Sequence, residues 1–170
     1  MMRARRPGSG FTLIELLVTL ALVGLLASAA LPLYEVIGTR MKESELRAAL
    51  RTIRTALDAY KAAVDAGRIA RQTGESGYPP NLDLLADGIE IGDPLATTAT
   101  GTPASRRLVF LRQVPRDPFN SDPSLSAAAT WVTRSYGSSP SEPQSGGNDV
   151  FDVASSSPRT GINGIPYRQW

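Results

Sequence analysis

The sequence predicts an α+β fold: one long N-terminal helix, apolar at first and amphipathic after, packed on a small C-terminal antiparallel β-sheet with short helices. Three observations predict it. Residues 11–31 form a run of 21 with a single charge, Glu15. Leu46, Leu50, Ile53, Leu57, Tyr60 and Val64 follow at spacings of 4, 3, 4, 3 and 4, which draws one apolar stripe along a helix. From Gly67 onward lie 11 of the 13 prolines and 11 of the 15 glycines, so the remainder is cut into short elements joined by turns.

The apolar segment comes first. Arg3, Arg5 and Arg6 precede it, and as a helix its length of about 32 Å matches a hydrocarbon core of about 30 Å. Positive charge ahead of the span predicts a single pass with the N-terminus inside and the rest exported. A cleaved secretory signal is the alternative, since Ala27-Ser28-Ala29 is an A-x-A site behind a cationic stretch. Glu15 argues for retention, because an ionised group in hydrocarbon costs at least a few kcal/mol, about 2.5 or more, unless it is paired. Thr12, Thr19 and Ser28 are expected to bond back to helix carbonyls.

Next is the amphipathic helix to about residue 66, with Gly67 as its stop. Its apolar stripe is expected to pack on the C-terminal part. Arg40, Lys42, Arg47, Arg51, Arg54 and Lys61, against Glu35, Glu43, Glu45, Asp58 and Asp65, read as a solvated face or as lateral contacts of complementary sign between copies. Pro32 removes a backbone hydrogen bond and Gly38 lowers helix propensity, so both are candidate kink positions.

In residues 67–170, Tyr78-Pro79-Pro80-Asn81-Leu82 leads into an N-capped short helix ending near Gly88. Residues 88–105 are rich in Thr and Ala, and 106–113 read as a short helix or strand closed by Pro115 and Pro118. Aromatic and β-branched content predicts strands at 130–136 and 150–154, separated by a Ser/Pro/Gly-rich turn region.

Composition excludes much chemistry. The chain has no Cys and no His, which removes thiolate and imidazole catalysis, Cys/His zinc sites and disulfides. Without the three leading arginines, 15 Lys+Arg stand against 16 Asp+Glu, with no basic cluster interleaved with aromatics, so nucleic acid is not an expected partner. Asp83, Asp117, Asp149 and Asp152 could supply paired carboxylates, but no spacing singles out a pair for acid–base work; an enzyme is not expected.

Gly10 followed by Phe11-Thr12-Leu13-Ile14-Glu15 and a continuous apolar helix, after a short basic leader and with Pro32 beyond, resembles the class III leader of type IV pilins and type II secretion pseudopilins. The resemblance implies a pilin-like fold, cleavage by prepilin peptidase between Gly10 and Phe11, N-methylation of Phe11, and an assembly contact between Glu15 and the Phe11 ammonium of a neighbour. It implies leader 1–10, filament-core and transmembrane helix 11–33, stalk 34–66 and periplasmic domain 67–170. The protein would be a single-pass protein of the bacterial inner membrane, held in the bilayer until it joins a homo-oligomeric helical filament on an inner-membrane assembly platform with minor pseudopilins.

The C-terminal part is similar to the major, G-type pseudopilins through Tyr78-Pro79-Pro80-Asn81-Leu82 and through the segment from Phe110 to Phe119, and absence of Cys fits that group. It departs in residues 88–105, which look like an insertion relative to that group, and in a longer tail from Gly161 to Trp170. The family's function would be a short periplasmic filament driving protein export. A surface pilin for adhesion, motility or DNA uptake is the alternative, and a secreted soluble binding module released after Ala29 is a second. No cofactor is required. The family's calcium would draw on Asp149, Asp152 and Ser155, with Asn148 also at hand; Asx-turn and strand-end roles are the competing reading of these residues.

Overall fold

The computed structural model describes residues 10–97, 103–139 and 147–170; the basic leader lies outside them. The chain divides into two compact units, Met1–Arg40 and Met41–Trp170. Helix α1 comprises Leu13–Asp65, and its residues contribute to both units.

In the second unit the α1 stripe forms the spine of the core. Leu46, Leu50, Ile53, Leu57, Tyr60 and Val64 are all buried, Leu46 and Ile53 completely, and Ala49, Ala56 and Ala63 fill the gaps between them. The helix stops where Gly67 takes a left-handed φ of 70°. There the Gly67 N–H donates to the Val64 carbonyl and the Arg68 N–H to the Ala63 carbonyl, both at 2.9 Å. This paired closure satisfies two carbonyls that the helix end would otherwise strand.

Helix α2, Asp83–Asp87, is one short turn. Asn81 Oδ1 accepts the Leu84 N–H at 2.9 Å, and the Gly88 N–H closes the other end on the Leu84 carbonyl. Leu82 and Leu85 point into the core. The Pro79 carbonyl accepts the Val150 N–H at 2.7 Å, so the segment beginning at Tyr78 is a structural brace. Tyr78 itself lies edge-on to Phe151, ring centroids 5.1 Å apart, and stacks with Tyr136 at 5.7 Å.

Among the described residues, two separate antiparallel pairs stand in place of a single sheet. Strands β1, Ile89–Thr97, and β2, Pro103–Leu108, align Ile89 with Leu108 and Glu90 with Arg107. Residues 88–105, read from the sequence as an insertion, therefore supply β1 and the start of β2; Gly92 and Pro94 concealed a strand whose Ile89 and Ile91 alternate. The expected helix or strand at 106–113 is strand only to Leu108. Strands β3, Trp131–Arg134, and β4, Asp152–Ser155, pair from Trp131 with Ser155 to Arg134 with Asp152, where the strand composition placed them.

Between these pairs, Asp117 acts as a buried junction. It accepts the Phe119 N–H at 2.8 Å and the Ser155 hydroxyl at 2.5 Å, while its own N–H donates to Thr130 Oγ1 at 3.1 Å. Trp131 Nε1 donates to the Pro115 carbonyl at 2.8 Å, tying the same loop to β3.

Candidate functional site

Gly10 and Phe11 stand immediately ahead of α1. A Cβ at Gly10 would meet nothing within 4 Å, so among the described residues no packing calls for glycine there. Thr12 caps the helix: its Oγ1 accepts the Glu15 N–H at 3.3 Å, and its carbonyl accepts the N–H groups of Glu15 and Leu16. Thr12 and Glu15 are spaced as in a capping box, and the first turn is where the helix dipole favours a carboxylate. Thr12 thus bonds forward as a cap rather than back to a carbonyl, whereas Thr19 and Ser28 do bond back, to Leu16 and Leu25.

Leu13, Ile14, Leu16, Leu17, Val18, Leu20, Leu22, Val23, Leu25 and Leu26 each expose half or more of their surface. An apolar surface on all sides of a helix calls for lipid or other helices around it. Among the described residues no helix is long and apolar enough to cross a membrane; the described side chains of this run end at Ser28, those of 29–33 lying outside the description. Helical backbone runs through both Pro32 and Gly38.

A second constellation ties the tail of the chain to α1. Glu43 is only 4% exposed, although its charge had placed it on the solvated face. Its Oε1 accepts the Ile162 N–H at 2.7 Å and the Tyr167 hydroxyl at 3.0 Å, and Arg47 stands 3.7 Å from its other oxygen. Burial, then the bond to Glu43 and its charge, push the Tyr167 phenol above its ordinary value. Tyr167 stacks on Phe119 at 4.1 Å and meets Trp170 edge-on at 5.0 Å, and Arg47 lies 4.3 Å over the Trp170 ring. A Cβ on Gly161 would fall 2.6 Å from Trp170 and 3.1 Å from Glu43, so this clasp requires glycine. Sequence reasoning missed Glu43, yet a signal existed: the stripe's 3–4 spacing, continued back from Leu46, lands on it.

The three calcium candidates serve different partners. Asp152 is held by two guanidinium groups, Arg54 Nε at 2.8 Å and Arg134 at 3.0 Å. Ser155 gives its hydroxyl to Asp117 and accepts the Ser157 N–H at 3.1 Å. Asp149 takes hydrogen bonds from the Ser76 and Ser135 hydroxyls and from the Tyr136 N–H. Burial would raise its pKa, but these donors outweigh it and hold the carboxyl below its usual range. A carboxylate already neutralised by two arginines does not suit a hard cation that needs six to eight oxygens. Among the described residues no three acidic side chains gather around a common point, and Asp149, Asp152 and Ser155 each bond to a different set of partners.

Residues 5–31 match the prokaryotic N-terminal methylation motif. Over 71 residues the chain is 35% identical to the type IV major pilin protein PilA of Myxococcus xanthus strain DK1622, covering 42% of this chain and 31% of that pilin. The match thus spans under a third of the relative's length. No solved structure matches the chain. The motif and the pilin similarity together support a pilin-like subunit.

Proposed function

We propose that the chain is a pseudopilin: prepilin peptidase cuts between Gly10 and Phe11 and methylates Phe11, and the mature subunit leaves the inner membrane to polymerise into a short periplasmic filament that drives protein export by a type II secretion system. The observation that carries the reading is the methylation motif set on a capped helix whose apolar side chains are uncovered all round. Lipid covers them before assembly and neighbouring helices cover them after. Lipid tails are as apolar as leucine, so burial alone does not favour one state or set a register. A desolvated contact between Glu15 of one copy and the Phe11 ammonium of the next supplies that register, since an unpaired buried charge is costly.

Absence of Cys and the Tyr78-to-Leu82 and Phe110-to-Phe119 segments support the pseudopilin over the surface pilin. Similarity to a type IV major pilin favours the second reading, a subunit of a surface fibre. Electron microscopy of cells that overproduce the processed chain with its export apparatus separates them. Short filaments confined to the periplasm, with export lost on deletion, support the pseudopilin; long extracellular fibres with export intact support the pilin.

A further inference from the structure

Between α1 and the docked tail runs a groove of about 380 Å³, lined by Arg47, Leu50, Arg51, Arg54, Ile165 and Trp170 among others. The three arginines recur at i, i+4 and i+7, one face of a helix, above a floor of buried Leu50 and half-buried Trp170. Their charges are unequally spent. Arg54 is taken up by Asp152 and the Trp170 carbonyl. Arg47 stacks on Trp170 and faces Glu43 at 3.7 Å. Arg51 is exposed and has no carboxylate partner among the described residues. The groove thus offers a cationic wall and an apolar floor.

Elsewhere on the same unit is a surface of opposite sign. Asp83 and Asp87 stand at i and i+4 on α2, both exposed and both without an ion-pair partner among the described residues, and Glu90 follows with only a 3.8 Å contact to Arg107. This patch sits at another height along α1. The Leu85 carbonyl of α2 accepts the N–H groups of Phe110 and Leu111, and Phe110 packs on Tyr60, nine positions beyond Arg51, or roughly 14 Å at 1.5 Å per residue. A single copy therefore does not fill its own groove with its own α2.

We infer that the groove receives the acidic face of α2 from a second copy of this chain, with Asp87 and Asp83 meeting Arg51 and Arg47 over Trp170. Two different patches of one molecule joined in this way make a head-to-tail contact, which propagates into an open helical array instead of closing as a dimer. Complementary charge at the rim would fix which patch meets which and reject the reversed docking. The inference rests on the filament reading proposed above and adds a lateral contact in the C-terminal unit to the one between stalks.

A chain with no cysteine of its own allows a direct test. The full-length protein carrying both Arg51→Cys and Asp87→Cys is produced with prepilin peptidase, its filaments are collected and oxidised, and the products are resolved without reductant beside electron micrographs of the same preparations. Dimers, trimers and higher rungs from the double variant, with no more than dimers from either single variant, are the expected result. Filaments of normal appearance that give no ladder would overturn the docking and leave the filament reading standing. If the unsubstituted, processed chain forms no filaments at all, the filament reading fails and this contact falls with it. A charge exchange keeps the test independent of cysteine placement: Arg51→Asp is expected to cut filament yield at least tenfold, and adding Asp87→Arg to restore it. Equal yields from all three proteins would overturn the docking.

Discussion

Replacing Glu43 by alanine is expected to loosen the tail from α1, and its size follows from the contacts. The carboxylate is the acceptor for two donors, the Ile162 N–H at 2.7 Å and the Tyr167 hydroxyl at 3.0 Å. Tyr167 is completely buried, so its orphaned hydroxyl carries the full cost of an unmade hydrogen bond, about 1–3 kcal/mol. Ile162 is half exposed, and water can take over part of its loss. The expected destabilisation is about 2–4 kcal/mol, or roughly 10 °C in Tm for a unit of this size. Urea unfolding of the detergent-solubilised full chain, followed by the fluorescence of Trp131 and Trp170, measures it. Tyr167→Phe and the double variant complete a cycle whose coupling is expected to be about 1 kcal/mol or more. Arg47→Ala, which removes a half-exposed ion pair and a ring contact, serves as a control at about 1 kcal/mol. A Glu43→Ala protein within about 0.5 kcal/mol of the parent, or a coupling of zero, would refute the clasp.

Three further outcomes are expected. Glu15→Ala leaves cleavage between Gly10 and Phe11 intact while filament yield falls by an order of magnitude or more; normal filaments from this variant, seen by electron microscopy, would remove Glu15 from assembly. The Asp149 carboxyl, held below its ordinary value of 3.8, contributes stability that is fully present above that value and is lost as pH falls below it through the folded-state pKa. Asp149→Asn is therefore expected to flatten the acid limb of the stability profile below about pH 4, and an unchanged limb would contradict it. Calcium at millimolar concentration, or its removal by chelator, is expected to leave Tm unchanged; a clear rise with calcium would show that a cation is held after all.

Much of the fold was legible because two periodicities are clean. The stripe from Leu46 to Val64 is uninterrupted, and each of its members is buried. Strands β3 and β4 carry Trp131, Val132 and Val153, the aromatic and β-branched content that marked them as strands, while their register comes from the fold. Hairpin β1–β2 was hidden because its ladder is backbone-made, and Gly92 and Pro94 are residues that ordinarily mark loops. The site residues divide in the same way. Gly10, Phe11 and Glu15 form a local motif that reads directly from the chain, and Thr12 completes it as a cap. Glu43, Asp152 and Ser155 take their meaning from partners more than 35 positions away, Tyr167, Arg54 and Asp117. A carboxylate's neighbours across the fold decide whether it faces solvent, a cation or a guanidinium, and no spacing along the chain reports them.

The proposed function requires processing at Gly10 followed by retention of the helix from Phe11 as an assembly element. Intact mass and N-terminal sequence of the protein recovered from membranes of cells that carry prepilin peptidase test it most directly. A chain that begins at Phe11 and bears one extra methyl group is the expected result. A chain that begins at Ala30, with the helix and Glu15 discarded, would contradict it and make the protein a secreted soluble module.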